Sequence, residues 1–575
     1  MKSKSSLYWS ILAPLTTITV LPFVISCSQS RYVTTDIGGL KNEFNPDSDY
    51  NEQLIAKAKA IRAGNDQKAK EVLKAKTILL AAAGSHNDYS FNQSAWEAIS
   101  KFSIEVGMDD NTYFETKSIS DAEQTDAYDY AMAKGFKFWI LTGFYQEGLL
   151  GRWLIKGNNL ERFLKNKIVV LTVDWYPGDQ PKVDPDNVDP VKLAFEKITG
   201  HVFALNFRTQ EAAFVASYAA AQLLNEINQD DPQKYQSEKT LFNSFAGGDF
   251  SGATNFNYGF YEGMRQFNQD MKMGLINKTN INPYFIRSTS ISSQAPVELK
   301  TGFVLTNDVK ATIERQVAGF SDQPAPQVIF PVAGSLIGAT IDRIKAAKNG
   351  QWIIGVDTDQ SKTFANDQQL ILTSVEKKIS ISVYKALITL YGLNYNDDVN
   401  LLDKDYQFDD DRLISKNYQA FNFNTVGGYD KKAVGLSQST LDYSLVFKNK
   451  KDHDGKPLTY AKRYDQISKS VEEKFFGNQG RFNQDNNTNT NGLKPDESTI
   501  QNYQLAIGKE WDAIKAKDYG LNGQHWNNLV ERNQAVAQNI EKIMALKNVL
   551  FGYMSADNQE NYFAPIVDQI NKIKQ

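Results

Sequence analysis

From Thr77 onward the chain alternates short, nearly continuous apolar runs with longer stretches of helical period. The apolar runs read TILLAAA, YFETKSI, KFWILTG, KIVVLTVD, HVFALNF, TLFNSFAGG, QVIFPVAG and WIIGVD. Between most of them lie stretches such as DAEQTDAYDYAMAKG, QEAAFVASYAAAQLLNEI and SLIGATIDRIKAAKNG. A strand that is apolar on both faces must be covered on both, and helices recurring between strands supply that cover for a parallel sheet. The alternation predicts an α/β fold. It holds too many units for one modest sheet, so two doubly wound parallel-sheet lobes are expected. Beyond Leu393 the order loosens into a partly helical C-terminal extension, 396–575. Within it FNFNTVGGYDKKAVGLS reads as strands added to an edge, and 478–498 is of low complexity. Helical patterns follow near 500–517 and 526–549.

The start of the chain has a different character. Lys2 and Lys4 precede an apolar stretch from Leu7 to Ile25, and the run VISC ends at Cys27, the single cysteine. A lone cysteine excludes a disulfide framework. The pattern resembles a bacterial lipobox, so residues 1–27 are expected to be a lipoprotein signal peptide, cleaved before Cys27, with the cysteine acylated. An uncleaved membrane anchor is the alternative, because the stretch approaches spanning length. Either way the remainder is tethered outside the membrane, and no later apolar segment is long enough to make the chain a channel. Residues 28–76 are polar and then rich in Lys and Ala, a spacer between membrane and lobes. The formal charge of −4 is spread over nearly balanced acids and bases, which gives no global pull toward nucleic acid.

In doubly wound sheets ligands bind beyond the carboxyl ends of the strands. Here those ends read AGSHNDYSFN, LTGFYQE, TVDWYPGD, FAGGDFSG, FPVAGSLIG and GVDTDQ. Glycine permits close backbone approach and carboxylates accept hydrogen bonds from hydroxyls. Turn chemistry alone enriches Gly, Asp and Asn at such corners, yet six of one character point to a pocket. At the first corner the helix is expected to start at Phe91, capped by Ser90 with Gln93 three positions on, and to bury Ala95, Ile99 and Phe102. Capping does not explain Asn87, Asp88, Phe91 and Asn92. An aromatic, a carboxylate and an amide at one mouth suit a flat ring carrying hydroxyls, with stacking contributing about 1–3 kcal/mol.

The block NDYSFNQSAWEAI resembles the signature of the basic membrane protein family, lipoproteins that bind purine nucleosides for ABC transporters. The likeness continues in order through LTGF, NFRTQEAAFVASYAAA, FAGGDFSGATNFNYGFYEGM, VIFPVAGSLIGATI, WIIGVDTDQ and ILTSVEKKISISVYKAL, over about 77–395 and more weakly to 436. The resemblance implies the architecture of type I periplasmic binding proteins, two lobes joined by three crossovers that close on the ligand. By that pattern lobe 1 is 77–205 plus 372–395 and lobe 2 is 206–371. It implies that Asn87, Asp88, Phe91 and Asn92 come from lobe 1, with Phe91 stacked on the purine and Gly143, Phe144 and Asp174 on the same wall. From lobe 2 it implies Phe207 as the opposing aromatic, with Phe256 as rival. Gly248, Asp249 and Gly334 would line the cleft, and Asp357 would take ribose hydroxyls. Lys377 would reach the same region, with Lys378 nearly as well spaced. The run Asn87-Asp88-Tyr89 departs from the family's two acids and a lysine, and Leu336 and Ile337 make VAGSLIG bulkier than the family's loop.

The resemblance implies partners as well: a purine nucleoside, an ABC permease of the same membrane, and the membrane itself through lipid at Cys27. The cellular place implied is the extracellular face of the cell membrane. No cofactor, metal or nucleic acid is expected, and no catalysis. The chain has neither GxxxxGK[ST] nor GxGxxG, and its four histidines (His86, His201, His453 and His525) lack zinc spacing. VDPDNVD (183–189) and DHDG (452–455) are incomplete as calcium loops. Two other readings stand beside this one: an adhesin or interaction lipoprotein that has kept the fold, and a nucleoside hydrolase built on Asp88, Asp174, Asp249 and Asp357.

Overall fold

The computed structural model describes residues 75–81, 91–108, 113–116, 121–143, 145–175, 190–198, 201–232, 241–248, 251–272, 302–319, 325–391, 424–429 and 433–477, with a few shorter pieces. The leader, Cys27, the spacer, the segments 183–189 and 478–498 and the two later helical patterns lie outside them, apart from Ala56, the spacer's last residues and Gly480.

All eight apolar runs contain strands. The first sheet holds β1 (Lys76–Ala81), β2 (Tyr113–Thr116), β3 (Phe136–Thr142), β4 (Val169–Val173) and β5 (Val202–Phe207). The second holds β6 (Leu241–Ala246), β7 (Arg287–Ser288), β8 (Val328–Val332), β9 (Trp352–Asp357) and β10 (Ile371–Lys377). A small hairpin follows, β11 (Tyr406–Asp409) and β12 (Arg412–Ser415). Two later strands, β13 (Asn424–Gly427) and β14 (Val434–Leu436), each close one sheet. The orders are β13-β5-β4-β3-β1-β2 and β14-β10-β9-β8-β6-β7. Every pairing is parallel except β10 with β14. The edge strands expected in FNFNTVGGYDKKAVGLS are β13 and β14.

The double apolarity of the strands has the predicted consequence. In the first sheet Leu79, Ala81, Phe138, Ile140 and Leu171 join one core, while Ile78, Leu80, Trp139, Leu141 and Val170 join another on the opposite face. The helices Phe91–Val106 and Ile379–Leu390 pack together over the first face. The helices Asp121–Ala133, Tyr145–Leu154, Asn159–Lys165 and Pro190–Ile198 cover the second. Ala95, Ile99 and Phe102 are buried as the periodicity required.

Three crossovers link the sheets: Phe207 to Thr209, Lys377 to Ile379, and Gly427 to Val434. One expected boundary moves. Ile371–Lys377 lies between β9 and β14 in the second sheet, with Ser374 opposite Gly355, so the return to the first lobe falls after Lys377 rather than at 372. The strand stays because it is buried along its whole length and has a partner on each side.

The extension is not an appendage at its start. Strands β15 (Val446–Lys451) and β16 (Pro457–Thr459) form a hairpin that leads into the helix Tyr460–Phe476, which packs on Thr209–Asp230. Phe475 meets the rings of Phe214 and Tyr218 at 4.9 and 5.3 Å. Arg463 holds Glu226 through two hydrogen bonds of 2.8 Å, and Lys474 reaches the buried Asp270 at 2.9 Å. Among the described residues no helix is long and apolar enough to cross a membrane.

Candidate functional site

The cleft is built where strand ends of both sheets face one another, and one ammonium marks its centre. Lys377 ends β10 at the second crossover and is almost fully buried. Its Nζ donates to Asp174 Oδ2 at 2.6 Å and to the Gly252 carbonyl at 3.0 Å, and Asp357 Oδ1 lies 3.5 Å away. Asp174 follows β4 in the first sheet and Asp357 ends β9 in the second, so a single cation joins the two lobes. The same ammonium lies 5.4 Å from the centre of the Phe91 ring and 4.9 Å from that of Phe256, within cation–π range of both.

Both aspartates sit in the left-handed region, with φ of 74° at Asp174 and 65° at Asp357. Aspartate is among the few non-glycine residues that tolerate it, and here it turns a carboxylate out of a strand end toward the crevice. The Asp174 N–H donates to the Leu205 carbonyl at 2.8 Å, which ties the turn to β5. Burial pushes the Asp174 carboxyl up to about 6, against the pull of Lys377 and with a further push from Asp357. Burial also acts against the Lys377 ammonium, but Asp174 and Asp357 outweigh it and hold the lysine above its ordinary value. The contact with Asp357 is an ion pair without hydrogen-bond geometry, and Oδ1 is buried with no hydrogen-bond partner. A buried acceptor without a well-formed hydrogen bond costs free energy until a donor reaches it.

Several of the other expected residues lie at strand ends or helix starts of the two sheets. Phe91 opens its helix as predicted and is half-buried. Asn92 is buried and its amide oxygen accepts from the Thr142 hydroxyl at the end of β3. That bond fixes the helix start against the strand end. Gln93 donates to Glu97 one turn on, at 2.9 Å. Gly143 has φ 86° and its N–H donates to the Val173 carbonyl at 3.0 Å. Gly248 and Gly334 are half-buried beyond β6 and β8. Asn87, Asp88, Phe144, Asp249 and His86 lie outside the described residues.

The paired candidates differ in their surroundings. Phe256, and not Phe207, is the ring brought to Lys377: Phe207 ends β5 as a core side chain opposite Gly427, while Phe256 projects from the helix Ser251–Lys272 and meets Phe330 edge-on at 6.0 Å. Lys377 contacts Asp174 and Asp357, whereas Lys378 binds Glu376 and its N–H donates to the Ala433 carbonyl across the third crossover at 2.8 Å. The Gly252 carbonyl has no signal in the sequence, because any residue there offers the same oxygen.

Other candidate chemistry is absorbed by structure. His201 is buried with Nδ1 2.8 Å from the Ile168 carbonyl. In DHDG the Asp452 carboxylate accepts from the N–H groups of Asp454 and Lys456 and from Lys462, at 3.0–3.1 Å, which is turn chemistry. Among the described residues no group of three or more His, Cys, Asp or Glu is placed to hold a metal.

Two doubly wound lobes, three crossovers and a polar centre at the strand ends define the periplasmic-binding-protein class of α/β fold. The chain is similar to known proteins over about half its length. It is 26% identical to basic membrane protein A1 of Borrelia garinii subsp. bavariensis over 308 residues, which are 53% of this chain and 70% of that protein. It is 25% identical to the ABC transporter nucleoside-binding protein BmpA of Lactococcus lactis subsp. cremoris over 337 residues, 56% of this chain and 76% of the other. The chain is thus similar to basic membrane proteins, as its motif blocks implied. No family model matches it. Among solved structures, an ABC transporter solute-binding protein from Aeropyrum pernix K1 aligns at 18% identity with a TM-score of 0.42, covering 82% of this chain and 99% of that one.

Proposed function

We propose that the protein captures a purine nucleoside between its lobes and delivers it to an ABC permease, without making or breaking a bond. In this reading the base lies between Phe91 and Phe256, and the ribose hydroxyls donate to Asp357 and Asp174. Lys377 stays between the two acids and compensates their charge. The observation that carries it is the buried, unsatisfied Oδ1 of Asp357 beside Lys377. An acceptor held ready for a donor, within reach of two rings, matches a neutral aromatic ring bearing hydroxyls. Of the two relatives named above, the Lactococcus lactis protein is a nucleoside-binding protein, which supports the same ligand class.

We further propose cleavage before Cys27, acylation of that cysteine and residence at the extracellular face of the membrane. The lobes are taken as 77–207 with 379–390 and β13, and 209–377 with β14 and the segment to Phe476. Calorimetry of the protein with guanosine, inosine, adenosine, uridine and ribose tests the central claim. Micromolar binding, about −8 kcal/mol, is expected for purine nucleosides and none for ribose. Silence with every nucleoside removes the reading, and release of free base on long incubation replaces it with a hydrolase.

The raised Asp174 carboxyl adds a pH dependence with a definite sign. A ligand hydroxyl donates to the ionised form, so binding favours proton loss from a group that holds its proton up to about pH 6. Affinity is expected to be flat above pH 7 and to fall about tenfold between pH 7 and pH 5. Isothermal titrations across that range check it; affinity that rises toward pH 5 would remove Asp174 from the ligand.

A further inference from the structure

We propose that the face of the first lobe opposite the cleft is a basic docking surface for anionic phospholipid headgroups, a proposal that rests on the membrane-anchored placement above. In a parallel sheet every strand begins at one edge, so residues that precede strands in sequence collect on one face. Before three of the strands they are lysines, whereas Asp109 and Asp110 precede β2 and His201 precedes β5. Lys76 opens β1, Lys134 and Lys137 flank the start of β3, and Lys165 and Lys167 precede β4. These three strands are adjacent in the sheet, with Lys76 opposite Phe136 and Phe138 opposite Val169.

The lysines are near one another in fact as well as in topology. Lys76 Nζ donates to the Lys134 carbonyl at 3.3 Å, and Lys137 Nζ donates to the carbonyl of Asn166. Partial burial and then the charge of Lys167 hold the Lys137 ammonium below its ordinary value, so like charges are being held together. Lys134, Lys165 and Lys167 are exposed. Among the described residues Lys76, Lys134, Lys137 and Lys165 enter no ion pair. The flanking helices carry Asp121, Glu123, Asp126, Asp129 and Glu161, and Asp129 is engaged by the Trp153 indole N–H at 2.9 Å.

The chain leading into this face has the same sign. Residues 57–76, KAKAIRAGNDQKAKEVLKAK, carry seven basic side chains against Asp66 and Glu71, a net of +5 in a protein whose total is −4. The basic excess thus belongs to the twenty residues that end on the lobe at Lys76, while 28–56 carry two basic side chains against five acidic ones. A membrane rich in anionic lipid attracts such a segment with about 1 kcal/mol per lysine near the surface, within a Debye length. The chemistry fits a planar array of phosphates close to the anchor. It seats the first lobe on the membrane with the second lobe distal, an orientation from which the protein must tip on its tether to present both lobes to a permease.

The test is sedimentation of the full, acylated chain with vesicles of neutral phosphatidylcholine and with vesicles that also contain phosphatidylglycerol. Retention on neutral vesicles reports the anchor, and the excess on anionic ones reports the face. At about 0.1 M salt the anionic vesicles are expected to bind tenfold or more tightly, and the excess is expected to vanish by about 0.5 M. The triple variant Lys134→Gln, Lys165→Gln, Lys167→Gln is expected to lose most of the excess while keeping its circular dichroism, neutral-vesicle retention and nucleoside affinity. Equal binding to both lipids, an excess indifferent to salt, or a folded triple variant with the full excess overturns the proposal. So does tighter capture by a DNA duplex at the same salt. Failure of the anchor reads separately, as lost retention on neutral vesicles with the anionic excess intact.

Discussion

Asp357→Asn is expected to weaken purine-nucleoside binding about 100-fold while leaving the melting temperature equal or slightly higher. The substitution keeps the side-chain shape, and asparagine shares aspartate's tolerance of the left-handed region that φ 65° demands. It replaces the carboxylate with a neutral amide. Hydrogen bonds to a charged group contribute about 1.5–3 kcal/mol each, and about 2.7 kcal/mol corresponds to a factor of 100. Folding loses little, because the contact between Asp357 and Lys377 is an ion pair at 3.5 Å and Oδ1 has no hydrogen bond to forfeit. Lys377 retains Asp174 at 2.6 Å, so no buried cation is stranded. Calorimetry for affinity and thermal melting for stability separate the two effects. An affinity within threefold of the parent removes Asp357 from the ligand, and a large drop in melting temperature recasts it as a structural residue.

The contrast with Lys377 shows how far sequence reading reaches. Asp357 was legible because a carboxylate directly after the run WIIGV must lie at the carboxyl end of a buried strand. Lys377 was harder. ILTSVEKKISISVYKAL passes from strand to helix without glycine or proline, so neither the strand's end nor its sheet is marked. The choice between Lys377 and Lys378 depends on which of two adjacent side chains points into the cleft, and the alternation of β10 decides it. Its register beside β9 aims 377 at Asp174 and leaves 378 on Glu376.

Phe207 and Phe256 make the same point for a helix. Each is an aromatic near the start of a long helix of the second lobe, and local sequence treats them alike. Phe207 completes a strand whose neighbour is β13, an edge strand contributed from more than two hundred residues further on, so its surroundings were invisible locally. Phe256 lies one turn into its helix, on the side that faces β8 and the lysine. What composition and period reported well was which segments are buried on both faces and where they end. Which ends meet one another is a property of sheet order, and that is written in long-range pairing.

The largest expected effect on stability belongs to a residue with no part in binding. Gly259→Ala should destabilise the second lobe by about 3 kcal/mol and lower its melting temperature by about 10 °C. The helices Thr209–Asp230 and Ser251–Lys272 cross at Gly259 and Gly263, four residues apart and therefore on one face. A Cβ on Gly259 would stand 2.0 Å from the Gln210 carbonyl oxygen and 2.6 Å from its carbonyl carbon and Cα. These are backbone atoms, so no rotamer change relieves the clash and the helices must separate. Gly263 is packed nearly as closely, 2.3 Å from the Phe214 carbonyl oxygen, although the Ser217 hydroxyl beside it can rotate away. Separation would also shift Phe256, which rides on the same helix, so nucleoside affinity should fall with stability. Gly148→Ala is the control. It is an exposed helical position whose nearest neighbour is the far end of Arg152 at 3.4 Å, and there alanine should stabilise by about 0.5–1 kcal/mol. Parallel denaturation of the two variants decides the matter: if Gly259→Ala melts with the parent, the two helices are not packed backbone to backbone, and the wall that carries Phe256 is not fixed as described.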